Sequence, residues 1–92
     1  MSPITPHATP RLRLTARMRK FRGKLLVASQ EHKLELSESA EFIFRSIDGR
    51  RTVGQIGALV AEKYEIPADM ATDDAAELIE ELVEAQVVDL DS

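Results

Sequence analysis

The stretch from residue 34 to residue 59 reads LELSESAEFIFRSIDGRRTVGQIGAL and contains a strand end, one helix and the start of a second. Ser37 is a favourable N-cap, and apolar side chains then recur at the spacing of an amphipathic helix: Ala40, Ile43, Phe44 and Ile47. Asp48-Gly49 ends this helix, because glycine readily adopts the left-handed conformation found after helices. Thr52 and Gln55 match a capping box, which predicts a second helix from Val53.

Upstream of this stretch, the pattern predicts strands. Residues 11–15 and 33–36 alternate apolar and polar side chains, and residues 24–29 form a short apolar run. Turns are expected at Arg22-Gly23 and at residues 30–32. We expect an antiparallel sheet of these three strands, with four leucines directed at the helices: Leu12, Leu14, Leu34 and Leu36.

Three helices are expected after the sheet, over residues 38–47, over residues 53–64, and from Thr72 onward. Pro67 prevents the second helix from continuing, and Thr72 is the expected cap of the third. The order of elements predicts an α+β, winged-helix-like fold in which a three-stranded antiparallel sheet is followed by three helices. Residues 1–10, which contain three prolines, are expected to form a disordered N-terminal arm, and residues 89–92 a C-terminal tail.

The order and spacing of these features resemble the PqqD-like family, the small peptide-binding domains known as RiPP recognition elements. The residues that carry the resemblance are Leu36, Ser37, Glu38, Ala40, Ile43, Asp48, Gly49, Thr52, Ile56 and Leu59. It extends more weakly over about residues 11–88, which would form the peptide-binding domain. Gln86 departs from the family pattern, because a glycine is common there.

The resemblance implies a function. It implies that the leader of a ribosomally synthesised precursor peptide adds to the third strand and lies against the last helix. The contact residues expected on this basis are Lys33, Leu34, Glu35, Leu36, Asp74, Glu77, Leu78, Glu81 and Leu82. From the residues alone, Lys33 and Glu35 are better interpreted as charges that protect a sheet edge, and the resemblance favours the peptide site instead.

Charge is unevenly distributed along the chain, whose net charge is -4. Residues 11–24 are basic and contain no acid, whereas the segment from Glu62 onward is acidic and contains a single cation, Lys63. One interpretation is that these two segments attract each other and help to dock the last helix near the sheet. The other is that one of them steers a charged peptide or an enzyme partner.

Composition and motifs argue against catalysis. A chain of 92 residues forms one domain with a modest core, and it contains no cysteine and only two histidines, His7 and His32, without metal-ligand spacing. Glutamates at helical spacing on the third helix are better explained as a solvated face than as a metal or acid-base site. We therefore expect no enzyme activity, no cofactor and no metal.

No apolar stretch approaches the roughly 20 residues that span a bilayer, so we expect no membrane association and a cytoplasmic location.

These observations lead to one hypothesis and two alternatives. The chain is interpreted as a peptide chaperone that binds a precursor leader and presents it to a peptide-modifying enzyme, for which the resemblance implies a radical-SAM maturase. A homodimer formed through sheet elements is also expected. The alternatives are a winged-helix DNA-binding protein and an accessory subunit that binds only protein. An acidic last helix would be repelled by phosphates, so we expect no nucleic-acid partner.

Overall fold

The computed structural model describes residues 4–91, in which two small antiparallel sheets pack with three helices. The elements along the chain are β1 (Thr9–Leu12), β2 (Arg17–Phe21), β3 (Lys24–Ala28), β4 (Lys33–Leu36), α1 (Glu38–Arg45), α2 (Val53–Tyr64), α3 (Ala68–Glu84) and β5 (Val88–Asp91). β2, β3 and β4 form one sheet in that order, and β1 pairs with β5 in the other. The expected α+β class, with a three-stranded antiparallel sheet and three helices, is confirmed.

The helix boundaries follow the capping residues. The Ser37 hydroxyl accepts the Ala40 N–H at 3.2 Å, and Thr52 forms both halves of a capping box with Gln55. α2 spans the predicted residues, and its C-cap Glu65, directly after Tyr64, takes the left-handed conformation. α1 is two residues shorter than predicted and ends at Arg45. Local hydrogen bonds at the ends therefore account for where α1 and α2 begin.

The start of α3 differs from the prediction. The helix begins at Ala68, directly after its N-cap Pro67, which has a φ of -58° and an extended ψ of 143°. Thr72 consequently lies inside the helix and does not cap it. Proline is tolerated at this position because its missing N–H costs nothing at a helix N-terminus.

The prediction that residues 11–15 form the first strand of the main sheet is wrong. The strand that pairs with β3 is β2, whereas residues 9–12 pair with β5. All five residues of β2 are exposed, so no apolar alternation marks this strand. A two-residue turn positions it: Arg22 and Gly23 have φ angles of 52° and 80°, the combination that a tight hairpin turn requires.

Both ends of the described chain belong to the fold, which corrects the predicted arm and tail over these residues. Ala8 and Pro10 are buried, and Thr9–Leu12 pairs in full with Val88–Asp91. Arg11 and Arg13 form ion pairs with Asp91 and Asp89. Residues 1–3 of the predicted arm, and Ser92 of the tail, lie outside the described residues.

The core lies between the helices and the inner faces of the strands. The fully buried large side chains come from nearly every layer: Leu25, Val27, Val53, Ile56, Ile79, Leu82, Val87 and Val88. Of the four leucines expected to face the helices, Leu36 is buried, Leu12 and Leu34 are half-buried, and Leu14 is fully exposed. Leu14 is exposed because it lies in the turn between β1 and β2, which an Ala16 N–H to Arg13 carbonyl bond closes.

Candidate functional site

β4 is an edge strand of the main sheet, with β3 on one side and no strand among residues 4–91 on the other. The hairpin that precedes it is closed by a hydrogen bond of 2.9 Å from the Ser29 N–H to the His32 carbonyl. Backbone groups in an antiparallel pair alternate between the partner strand and the opposite side. Leu34 and Leu36 therefore bond to β3, and the N–H and C=O groups of Lys33 and Glu35 point to the open edge.

The side chains of β4 alternate between the two faces of the sheet, perpendicular to the backbone groups. Leu34 and Leu36 pair with Val27 and Leu25 and share their inner face. Lys33 and Glu35 are exposed on the outer face. An extended peptide added to this edge would find free backbone partners at Lys33 and Glu35, with an apolar layer on one side and charged side chains on the other.

The α3 residues predicted to complete the site occupy different environments. Asp74, Glu77 and Glu81 are exposed, and Leu78 is at the surface of the core with 9% of its area accessible. Leu82 has no accessible surface, so its side chain supports the core and offers nothing to a ligand. The main packing partners of α3 are α2, α1 and β5.

Two of these α3 residues line a hollow of about 210 Å³. Asp74 and Leu78 form one wall, and the first turns of α1, which follows β4 after a single residue, form the other. Further lining comes from residues that the sequence did not single out as contacts: Ser39, Ala40, Ile43, Val60, Tyr64 and Ile66. Glu77 lies elsewhere, in a depression with Ile4 and Pro6. The structure thus places Asp74 and Leu78, but not Glu77, in a hollow beside the start of α1.

An ion-pair cluster joins the main sheet to α1. Glu41 accepts hydrogen bonds from Lys20 Nζ at 2.8 Å and from Arg45 Nε at 2.7 Å, and these two cations hold the pKa of its carboxyl below the usual value. Because Lys20 lies in β2 and Glu41 in α1, the cluster contributes to the orientation of the sheet against the helix. Its net contribution to stability is small, since the side chains of Lys20 and Arg45 are about half exposed to water.

The expected attraction between the basic segment and the acidic segment from Glu62 onward is made through β5, where Arg11 and Arg13 pair with Asp91 and Asp89, and not through α3. The cations of residues 11–24 that form ion pairs do so with β5, α1 and β4, and no acid of α3 takes part in an ion pair. The exposed carboxylates of α3 therefore remain available to solvent. In the same part of the chain, the acidic and histidine side chains do not gather in groups of three or more that a metal ion would need.

Comparison with known proteins shows similarity to a family and to a solved structure. A family model described as coenzyme PQQ synthesis protein D (PqqD) matches residues 24–88. A solution NMR structure of the PqqD truncation of Methylobacterium extorquens PqqCD superposes with a TM-score of 0.80 at 23% sequence identity, covering 96% of each chain. That protein is described as a functional and stand-alone recognition element for ribosomally synthesised and post-translationally modified peptides. None of the curated proteins matches this chain. Within residues 4–91 we find no helix whose length and hydrophobicity would carry it through a bilayer.

Proposed function

This chain belongs to the PqqD family, and from that premise we propose that it binds the leader of a ribosomally synthesised precursor peptide and presents it to a modifying enzyme. The observation that carries the proposal is the open edge of β4, where Lys33 and Glu35 direct backbone donors and acceptors away from the sheet. A similar fold belongs to a protein described as a recognition element for such peptides.

The proposed mode of binding is strand addition. The leader extends along β4, forms backbone hydrogen bonds with Lys33 and Glu35, and places side chains of its inner face towards Leu34 and the hollow beside Leu78. Backbone pairing supplies affinity that is largely independent of leader sequence, and the hollow supplies selectivity. The chain itself carries out no chemistry in this proposal, and a radical-SAM maturase is the partner enzyme. Two copies of the chain also associate weakly through the same edge.

The two alternative functions receive less support. A winged-helix DNA-binding protein needs cations on the helix that enters the groove, whereas the exposed face of α3 carries acids such as Asp73, Asp74 and Glu77. An accessory subunit that binds only protein through its charged faces would not require an open strand edge. Both alternatives predict that blocking the edge has no effect on function.

The test is a proline series on the main sheet. Lys33→Pro and Glu35→Pro each remove a donor that faces the open edge, and they leave the bonds between β4 and β3 in place. We expect each to weaken binding of a synthetic leader by about a hundredfold, since a lost hydrogen bond and a desolvated carbonyl together cost a few kcal/mol. Lys33→Ala and Glu35→Ala should bind within about threefold of wild type. Calorimetric titration measures the affinities.

Met18→Pro is the matched control. In the register of β2 and β3, Met18 directs its N–H to the opposite edge of the same sheet. Circular dichroism must show that all three proline variants are folded. If folded Lys33→Pro and Glu35→Pro bind the leader as tightly as Met18→Pro does, the peptide does not add to β4 and the proposal is wrong.

A further inference from the structure

The outer face of the main sheet, opposite the helices, is a second distinctive surface. The strand registers place its side chains in three cross-strand rows: Arg17, Ala28 and Lys33 in the first, Arg19, Leu26 and Glu35 in the second, and Phe21 and Lys24 in the third. No element among residues 4–91 covers this face in the way that the helices cover the inner one, and the side chains of β2 are exposed throughout.

Positive charge on the outer face is largely uncompensated. One ion pair lies there, between Lys24 Nζ and Glu35 Oε1 at 3.1 Å. Within residues 4–91, no acid forms an ion pair with Arg17, Arg19 or Lys33. The face is therefore basic on a chain whose net charge is -4, and it will attract an anionic surface.

The outer face also has an apolar component. A shallow depression of about 560 Å³ has Leu26 and Ala28 at its centre, Arg17 and Arg19 along one side and Lys33 along the other. In the third row of the same face, outside the residues that line the depression, Phe21 leaves 49% of its area exposed. A ligand that fits this arrangement carries apolar groups flanked by carboxylates, which is the pattern of an acidic, amphipathic helix.

The same geometry disfavours nucleic acid. Single strands bind basic sheets by stacking bases on exposed aromatic rings. The ring of Phe21 is already contacted by the Arg22 guanidinium, 5.3 Å from the ring centroid, and by that of Arg19, 6.0 Å away. Glu35 also adds a carboxylate at the border of the depression, where it would repel phosphates.

We propose that the outer face of the three-stranded sheet is a docking surface for an acidic protein partner that presents apolar side chains between its carboxylates. The surface is continuous with the β4 edge, because Lys33 and Glu35 belong to both. A partner bound there lies beside any peptide paired with β4. The identification of this partner with the modifying enzyme rests on the proposed function, whereas the chemistry of the surface does not.

The experiment is an NMR titration of the ¹⁵N-labelled full chain with a synthetic, amphipathic helical peptide made of Glu and Leu. We expect amide shifts concentrated in β2, β3 and β4. Arg17→Glu and Arg19→Glu should each weaken binding by about tenfold, because each reverses a charge at the wall of the depression. Arg50→Glu, in the loop between α1 and α2, changes net charge equally and should stay within about twofold of wild type.

Other probes supply the outcomes that overturn the proposal. Tighter binding of a DNA duplex, of single-stranded DNA or of phosphatidylglycerol vesicles than of the peptide would assign the face to another class of partner. Shifts confined to α3, or equal losses in Arg19→Glu and Arg50→Glu, would show that the peptide responds to net charge alone. Titration of the same variants with the leader separates the two proposals. Arg19→Glu should bind the leader like wild type. If wild type does not bind the leader, the proposed function fails, but binding of the Glu/Leu peptide to the outer face still stands.

Discussion

At the scale of single residues, Gly57 determines how closely two helices approach. A Cβ atom at this position would lie 2.7 Å from Thr72 Cα and would also collide with the Thr72 hydroxyl. Thr72 was expected to cap a helix, and the structure instead places it at the contact between α2 and α3. These two helices share the most extensive packing in the molecule. The absence of a side chain at Gly57 is therefore required by the neighbouring helix, and not by its own backbone conformation.

Gly57→Ala tests this explanation. Overpacking of a tight contact costs about 1–3 kcal/mol, which exceeds the gain of up to about 1 kcal/mol that alanine brings to a helix interior. We expect a net loss in the free energy of unfolding, measured by urea denaturation. Gly54→Ala is the control, because its methyl group would meet the Pro6 carbonyl oxygen at 3.3 Å, a contact that a small shift relieves. Equal stability of the two variants would mean that α2 and α3 separate at little cost.

At the scale of elements, the strands of the main sheet and those of the terminal sheet differ in how clearly the local sequence predicts them. β3 and β4 are joined by a tight hairpin and carry apolar residues on their inner face, so each was predicted with nearly correct boundaries. β5 pairs with β1, from the other end of the chain. Val88 and Leu90 do alternate with acids, but four residues at a chain end give too short a pattern to separate a strand from a tail.

Removal of residues 89–92 tests the role of β5. The truncation deletes most of the pairing with β1 and the half-buried Leu90, so we expect the free energy of unfolding to fall by about 1–3 kcal/mol. The double variant Asp89→Asn, Asp91→Asn keeps the strand and loses only exposed ion pairs, worth about 0–1 kcal/mol each. Urea denaturation compares the two. A truncated chain as stable as the full chain would restore the interpretation of these residues as a tail.

At the scale of the whole molecule, the acids of α3 and the cations of the outer sheet face form separate surfaces. The acids of α3 and the cations of the outer sheet face are not paired with each other in residues 4–91, and each set forms its own surface. Net charge alone would suggest a weakly acidic protein with no preference for partners of either charge. The arrangement instead gives the molecule an acidic side, a basic side and an open strand edge.

The open edge also supports a prediction about association. Two copies of β4 paired antiparallel about Leu34 would place Lys33 of each chain opposite Glu35 of the other, a favourable cross-strand pair in a two-fold interface. We expect a weak dimer whose population rises with concentration, because so short a strand contributes few hydrogen bonds. Light scattering measures the mass, and Lys33→Pro should keep the protein monomeric. A wild-type mass that stays monomeric at high concentration would remove the dimer without affecting leader binding.

The sequence alone determined the parts of this protein that depend on neighbouring residues. The N-caps at Ser37 and Thr52, the turn at Arg22-Gly23 and the position of Lys33–Leu36 before α1 are set by hydrogen bonds and backbone preferences within a few residues. Only the tertiary structure decided which strands pair. The exposed β2 is held by its pairing with β3, and the terminal β5 by its pairing with β1 at the other end of the chain. The strand of the candidate site was predicted because its pattern is local. The roles of the α3 residues depend on how α3 packs, which leaves Leu78 at the surface of the core and buries Leu82 inside it.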